Sequence, residues 1–320
     1  MKIVFLGSGE FGLPTLQRLA DEHRLAAIVT QPDRPAGRGR VISPTPVAAW
    51  RERNAPGVEL IRASSVNEPS VTERVRSFRA DALVVIAFGQ KLGPDLLTDQ
   101  FAINLHASLL PRWRGAAPIN HAVLAGDTET GNSVITIAQR MDAGDILGRS
   151  RRPISPEQTA GDLHDLLSAD GPSLVMDVLR AAESGRLTPE PQNEMSVTLA
   201  PKLSRGDGWV DFRETAEHCR RRIHGLNPWP AATVRFGDEP MKLLRAKVLA
   251  PHGQEAHAGH GPGTLLDAAE GIVACGGGTT LQITQVQPAG RRAMEWREMM
   301  RGRRIERDVL LMGGKEQSTP

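Results

Sequence analysis

Through its first half the sequence alternates short aliphatic, β-branched runs with stretches of helical spacing. That alternation admits few architectures besides βαβ units around a parallel sheet. Strands are predicted at 2–6, 26–30, 82–88 and 101–105, with helices at 14–23, 47–54 and 69–78 between them. The third of these helices opens on Pro69, in the first turn, where a missing N–H costs nothing. Further strands are predicted at 133–138 and after Gly144, then a long helix over 161–182 with Leu163, Leu166, Leu167, Val175, Val178 and Leu179 on its apolar side. Right-handed crossovers would gather the strand ends and their loops on one edge, where open α/β sheets bind ligands.

The later sequence changes character. Residues 188–207 are polar and punctuated by proline, as a linker would be. After a basic helix at 214–225, short β-prone pieces at 233–236, 241–248, 263–266, 271–274 and 281–286 are separated by Gly and Pro turns. Five such strands suggest a small barrel of the OB type. The expectation is an α/β chain with a Rossmann-like, mostly parallel sheet domain over 1–187 and a linker over 188–207. A small OB-like β-barrel domain over 208–311 and a disordered tail over 312–320 would complete it.

A chain of 320 residues fits two domains, each able to bury a core without a disulfide or metal staple. Cys219 and Cys275 are far apart in sequence and sit in no CxxC pair, which suits a reducing compartment. No stretch approaches the roughly 18 apolar residues of a membrane span, and the apolar start is too short for a signal peptide. A cytoplasmic protein with no membrane partner is therefore expected.

The formal net charge of +2 hides an asymmetry. Residues 1–200 carry 21 basic against 23 acidic side chains, and residues 201–320 carry 18 against 14. Arginines cluster at 220–222, at 291–292 and at 301, 303, 304 and 307, a pattern that suits either a polyanion or a solvated helix face.

Four features bear on chemistry. Gly7-Ser-Gly-Glu-Phe-Gly12 spells GxGxxG between a predicted strand and helix, with Asp33 beyond it, the literal pattern of dinucleotide binding. Asp33, however, follows Pro32 instead of closing a strand, so the glycines are read as serving a tight turn. Residues 34–46 form a loop longer than the usual βα connection, and Arg34, Arg38 and Arg40 among its glycines suit ordering on a phosphate backbone. The run Phe-Ala-Ile-Asn-Leu-His at 101–106 puts Asn104 and His106 on one face of a strand. Arg-Met-Asp-Ala-Gly-Asp at 140–145 forms a turn after another strand. An amide, an imidazole and a carboxylate at strand ends meet the needs of carbonyl chemistry: a donor to a developing oxyanion, a proton shuttle and a group to hold the shuttle. Either Asp142 or Asp145 could be that carboxylate, and either could merely close the turn. His252, His257 and His260 lack ligand spacing, so no metal site is read there, and Gly276-Gly-Gly278 lacks the Lys-Ser/Thr of a phosphate loop.

Several segments together resemble the methionyl-tRNA formyltransferases, a branch of the 10-formyltetrahydrofolate-dependent formyltransferases. They are Asn-Leu-His-Ala-Ser-Leu-Leu-Pro-Arg-Trp-Arg-Gly-Ala-Ala-Pro at 104–118, Met-Asp-Ala-Gly-Asp at 141–145, Gln-Pro-Asp-Arg-Pro-Ala-Gly-Arg-Gly at 31–39, Leu-Asn-Pro-Trp-Pro at 226–230 and Gln-Pro-Ala-Gly-Arg-Arg-Ala-Met at 287–294. The resemblance spans nearly the whole chain. It implies transfer of a formyl group from 10-formyltetrahydrofolate to the amino group of methionine on initiator tRNA, by a monomer using no metal and no nicotinamide dinucleotide. By motif match it implies Asn104, His106 and Asp142 as catalytic residues, which selects Asp142 over Asp145. It implies Ser108, Leu109, Leu110 and Pro111 as folate contacts, with Phe88, Gly89, Gln90 and Leu92 accompanying them at the pterin through backbone groups. For tRNA it points to Arg34, Arg38 and Arg40 in the loop and to Arg220, Arg221, Arg291 and Arg292 in the basic C-terminal part. The chain departs from the family in having Gly-Ser-Gly at 7–9 where Gly-Thr-Pro is usual, and Phe88 where Tyr is common.

Overall fold

The structure is a computed structural model that describes residues 1–36, 39, 41–250, 260–301 and 310–313. Arg38, Arg40, His252, His257 and residues 314–320 of the expected tail lie outside the described residues. The chain divides into two compact units that interleave in sequence. Met1–Gly115, Thr130–Arg152 and His164–Leu199 form the first, and Ala116–Glu129, Pro153–Leu163 and Ala200–Pro320 the second.

In chain order the first unit begins with β1 (Lys2–Gly7), α1 (Leu13–Glu22), β2 (Arg24–Thr30) and an antiparallel hairpin of β3 (Arg34–Ala36) and β4 (Val41–Ser43). It continues with α2 (Pro46–Asn54), β5 (Glu59–Arg62), α3 (Pro69–Ser77), β6 (Ala82–Ile86), α4 (Pro94–Leu97), β7 (Ala102–His106) and β8 (Arg114–Gly115). After α5 (Pro118–Ala125), which belongs to the second unit, come β9 (Glu129–Thr136), β10 (Ile146–Pro153) and the long α6 (Ala160–Glu183).

Seven strands form one sheet in the order β10-β9-β7-β6-β1-β2-β5. The pairs β1/β2, β1/β6, β2/β5 and β6/β7 are parallel, and β9 runs antiparallel to β7. The central strands read as continuous apolar runs because helices cover both faces of a parallel sheet, and Ile3 to Leu6 and Ala82 to Ile86 are all buried. Entry into α2 is set by Thr45, whose Oγ1 accepts from Ala48 N, and by Pro46 in the first turn. Pairing of Val85 with Asn104 puts the ends of β6 and β7 at the same edge, so residues 87–92 and 107–112 leave the sheet side by side.

The second unit gathers α5 with β11 (Leu199–Ala200, at the boundary), α7 (Ala216–Gly225) and an antiparallel, barrel-like sheet. Its strands are β12 (Ala232–Phe236), β13 (Glu239–Val248), β14 (Leu265–Asp267), β15 (Ile272–Cys275) and β16 (Thr279–Pro288). The short β17 (Met294–Glu295) pairs with β16, α8 (Trp296–Met300) follows, and β18 (Leu311–Met312) pairs with β12. Register shifts around Arg245 in β13 and between Leu265 and Asp267 in β14 supply the bending a small barrel needs. The core is Val210, Phe212, Ile223, Leu243, Leu281, Ile283, Val286 and Trp296 with their neighbours.

Specific bonds draw α5 and the 153–163 segment into this second unit. Asn120 Nδ2 donates to Gly225 O at 2.7 Å, and Arg245 Nη2 reaches both Asp162 oxygens at 2.7 and 2.8 Å. Gly225 permits the close approach of α5 to α7, since a Cβ there would lie 2.7 Å from Leu124 Cγ. Among the described residues no helix is long and apolar enough to cross a membrane.

Several elements went unforeseen in the sequence, among them β5, the β3/β4 hairpin, the helices α4, α5 and α8 and the short strands β8, β11, β17 and β18. The four-residue β5 lies at the sheet edge, and the β3/β4 hairpin lies inside what reads as an irregular arginine-rich loop.

Candidate active site

Asn104 and His106 alternate along β7 onto the same face, as their spacing requires. His106 is 6% exposed, and Asn104 is half-buried with its side-chain amide hydrogen-bonded to none of the described residues. The His106 Nε2 lies 2.9 Å from Trp113 O. A carbonyl only accepts, so Nε2 carries the proton and Nδ1 is the nitrogen left to exchange one. Nδ1 faces Asp142 Oδ2 at 3.7 Å, with the carboxylate 14% exposed.

The geometry also separates the two candidate carboxylates. Asp142 reaches His106, and its Oδ2 accepts from Gly115 N at 2.9 Å. Asp145 closes the turn with its backbone, its N–H donating to Thr136 Oγ1 and its carbonyl accepting from Thr136 N, both at 2.9 Å. Asp142 holds a left-handed backbone at φ 54°, which aspartate tolerates better than most residues. Gly144 is demanded by packing: a Cβ there would sit 1.7 Å from Thr136 O.

Loop 107–115 is held from beneath by β9. Ser133 Oγ donates to Ser108 O at 2.7 Å and accepts from Leu110 N at 3.1 Å, while Ser108 Oγ donates to Arg112 O at 2.7 Å. Ser108 is wholly buried, Leu110 packs with Ile135 and Ile146, and Leu109 and Pro111 are half-buried. Beside this loop, Phe88 and Leu92 point into the core, so only their backbones remain for a ligand. Gly89 is exposed at φ 74°, where a Cβ would meet Gln31 Nε2 at 2.6 Å. Gln90 is spent on the loop itself, accepting from Val66 N at 2.7 Å and donating to Ala63 O at 2.9 Å. Phe88 in place of a tyrosine is thus a core residue, and Phe88 O accepts from Gln31 Nε2 at 2.7 Å.

Sequence reasoning missed a set of residues that brace these loops from the segment read as a linker. Glu190 pairs its backbone with Ile146 and its carboxylate with Arg149, whose Nε donates to Leu110 O at 3.2 Å. Gln192 touches both the Asp142 turn and Arg114. Glu194 bonds Arg114 and Arg140, which hold its carboxyl below the usual carboxylate range. Thr198 Oγ1 accepts from Trp113 N at 2.9 Å. Polarity and proline made this stretch look like a connector, and no periodic signal marked it.

The glycine-rich turn is committed within the protein. Ser8 N and Gly9 N both donate to Ala87 O, at 3.2 and 3.3 Å, and a Cβ at Gly7 would lie 2.7 Å from Ile86 O. Asp33 bonds Arg62 Nε at 2.9 Å. Two amides of the turn and the acid of the dinucleotide pattern are therefore engaged within the protein. Among the described residues no cluster of three or more His, Cys, Asp or Glu side chains could hold a metal.

The arginines divide. Arg34, Arg291 and Arg292 are exposed, Arg292 pairing with Glu298 at 2.7 Å. Arg220 is only 11% exposed and pairs with Glu217 at 2.7 Å while reaching Pro156 O. Arg221 also bonds Glu217 at 2.7 Å.

An α/β sheet with an amide, an imidazole and a carboxylate at its strand-end edge, followed by an antiparallel β unit, marks a group-transfer enzyme working at a carbonyl carbon. Residues 1–179 match the family model described as formyl transferase, and 202–304 match the formyl transferase C-terminal domain. A methionyl-tRNA formyltransferase of a Methylobacterium species (strain 4-46) is 42% identical over 313 residues, covering 96% of this chain and 97% of its own. That of Halalkalibacterium halodurans is 37% identical over 324 residues, covering 99% and 100%. The fold is also that of an N-formyltransferase from Helicobacter canadensis, solved with folinic acid and dTDP-3-aminofucose, at a TM-score of 0.65, 13% identity and coverage of 90% and 99%. The chain belongs to the formyl transferase family, and within it to the methionyl-tRNA formyltransferases.

Proposed function

We propose that this protein transfers the formyl group of 10-formyltetrahydrofolate to the α-amino group of methionyl-tRNA, acting as a cytoplasmic monomer. The observation that carries the reading is identity of 37–42% with methionyl-tRNA formyltransferases along nearly the whole chain. The Asn104, His106 and Asp142 geometry supports it. The donor supplies an activated formyl carbon, and the partly exposed strand-end segments 87–92 and 107–112 offer it backbone groups and the uncommitted Asn104 amide.

The nucleophile needs little help, because an α-amino group with a pKa of about 7.7–8.0 is partly neutral near pH 7. As the amine nitrogen bonds to the formyl carbon, the carbonyl oxygen becomes an oxyanion to which Asn104 Nδ2 donates. The amine then sheds a proton, and the bond from the formyl carbon to the folate nitrogen breaks as that nitrogen gains one. His106 Nδ1 takes and returns the proton, while Nε2 stays tied to Trp113 O and Asp142 stabilises the transient imidazolium. Arg34, Arg291 and Arg292 would meet tRNA phosphates, with Arg38 and Arg40 extending the first of these contacts. Arg220 and Arg221 would add less, since Glu217 offsets their charge.

The test is incubation with 10-formyltetrahydrofolate and charged initiator or elongator tRNA, followed by mass spectrometry for formylmethionine. Formylation of the initiator is expected. No transfer to either tRNA, with transfer to an amino-sugar nucleotide instead, would replace this reading with that of a sugar-nucleotide formyltransferase.

A further inference from the structure

We infer that Gln192 is a positioning residue, one that sets Asp142 against His106 by clamping together the two loops that carry the site. Every hydrogen-bonding capacity of its side-chain amide is used. Nε2 donates to Asp142 O at 2.7 Å and to Gly144 O at 2.8 Å, while Oε1 accepts from Arg114 Nε at 3.0 Å and from Arg114 Nη2 at 2.8 Å. Two donors facing two carbonyls, and an oxygen facing a guanidinium, fix the orientation of the amide unambiguously. Arg114 is 7% exposed, so these bonds are made largely out of water, and it is further tied to Glu194 at 2.9 Å.

The arrangement has a mechanical consequence. The turn at 142–144 contains a residue in the left-handed region, a conformation that persists only when its surroundings hold it. Gln192 bridges the carbonyls at both ends of that turn. Through Arg114 it also holds the backbone leading into Gly115, whose N–H donates to Asp142 Oδ2, and leading out of Trp113, whose carbonyl holds His106. One amide thereby links the supports of both members of the His106 and Asp142 pair, from a segment that contributes neither.

The inference rests on Asp142 acting in catalysis, and a double-mutant cycle keeps the two claims apart. Gln192→Met keeps the length of the side chain and removes all four bonds. It should lower kcat on the order of 10- to 100-fold, as loss of sub-ångström alignment does, with KM for folate and for tRNA within about 2-fold. In an Asp142→Asn background the same change should cost less than about 2-fold, because the group it positions is already disabled. A full, additive loss in that background would show that Gln192 supports the fold in general and would overturn the inference. So would normal kcat in Gln192→Met. If Asp142→Asn alone leaves kcat unchanged, the catalytic reading of Asp142 fails instead. Gln192→Glu provides an arm that does not depend on Met being tolerated. It retains the acceptor for Arg114 but turns a carboxylate oxygen toward two carbonyls, so it should fall like Gln192→Met. Wild-type kcat in Gln192→Glu would mean that only Arg114 needs a partner, and would exclude the clamp on the Asp142 turn.

Discussion

Two histidines, one in each unit, are sealed almost equally from solvent and placed in opposite company. His106 is 6% exposed and has a carbonyl on one nitrogen, a carboxylate 3.7 Å from the other, and an uncommitted amide two residues back along its strand. His224, on α7, is 1% exposed and accepts from Ala246 N at 3.0 Å through Nε2. Burial, aided by the charges of Arg220 and Arg245, pushes the His224 pKa down to about 4 despite the opposing charge of Asp162. Burial by itself thus does not mark a working histidine. The two rings share burial but not neighbours: a carboxylate faces the first, whereas burial and the charges of Arg220 and Arg245 keep the second neutral.

The largest expected effect breaks this contrast at its first term. His106→Ala should lower kcat by about 10²- to 10⁴-fold, the usual worth of a positioned acid–base group, with tRNA affinity within about 2-fold in a filter-binding assay. His224→Gln should leave kcat within a few-fold. Equal losses in the two variants would mean that both act through folding and would remove the distinction.

The second effect tests the other histidine. Its pKa is depressed on folding, so between about pH 6.5 and about 4 the unfolded chain binds a proton that the folded chain does not. Stability from this group is complete above the unfolded pKa and declines as pH falls through that window, by about 3 kcal/mol in all. Denaturant unfolding of the wild type should record that slope, and His224→Gln should flatten it. Asp162, held low by Arg245 and Thr159 against the opposing effect of burial, sheds its contribution only below the ordinary aspartate range, so the two losses separate by pH. An unchanged slope in His224→Gln would locate the titration elsewhere.

A third change strikes the company of His106 without touching a reacting group. Gly144→Ala places a methyl 1.7 Å from Thr136 O, and the turn carrying Asp142 must shift. A loss of about 2–3 kcal/mol of stability is expected from such overpacking, with kcat falling beyond what the loss of folded protein explains. Calorimetry together with active-site-normalised kinetics would check both parts. Wild-type kcat would show that the turn tolerates movement.

Much of the first unit was legible because its signals are local. Apolar runs with helices on both faces announce β1 and β6, a proline at the first helical turn announces α3, and the spacing of Asn104 and His106 survives unaltered on β7. The edge strand β5 was not legible: Glu59–Arg62 is four residues with neither alternation nor a continuous apolar run. The choice between Asp142 and Asp145 could not be read from spacing, because both lie in one turn; the family resemblance selected Asp142, and the fold brings that carboxylate to 3.7 Å from the His106 ring on β7. Residues 190–198 illustrate the same limit more sharply. Their bonds to Arg114, Asp142 and Trp113 span 50 to 85 positions of sequence, and nothing periodic encodes partners at that distance.

The arginines of the second unit carry the lesson into electrostatics. Clusters at 220–221 and 291–292 are indistinguishable as text, yet Arg220 is 11% exposed and paired with Glu217, whereas Arg292 is 75% exposed. A guanidinium already paired and largely buried has little left for a phosphate. An exposed one gives up little to leave a surface carboxylate, since such pairs are worth only about 0–1 kcal/mol. Arg291→Ala and Arg292→Ala should each weaken tRNA binding a few-fold at low salt and lower the slope of log K against log salt by about one for each phosphate no longer neutralised, leaving the melting temperature in place. Arg220→Ala should do the reverse, lowering the melting temperature while preserving the salt slope. Salt titrations of the three variants decide it: a reduced slope in Arg220→Ala, with none in the other two, would transfer the tRNA interaction from the exposed pair to the braced helix.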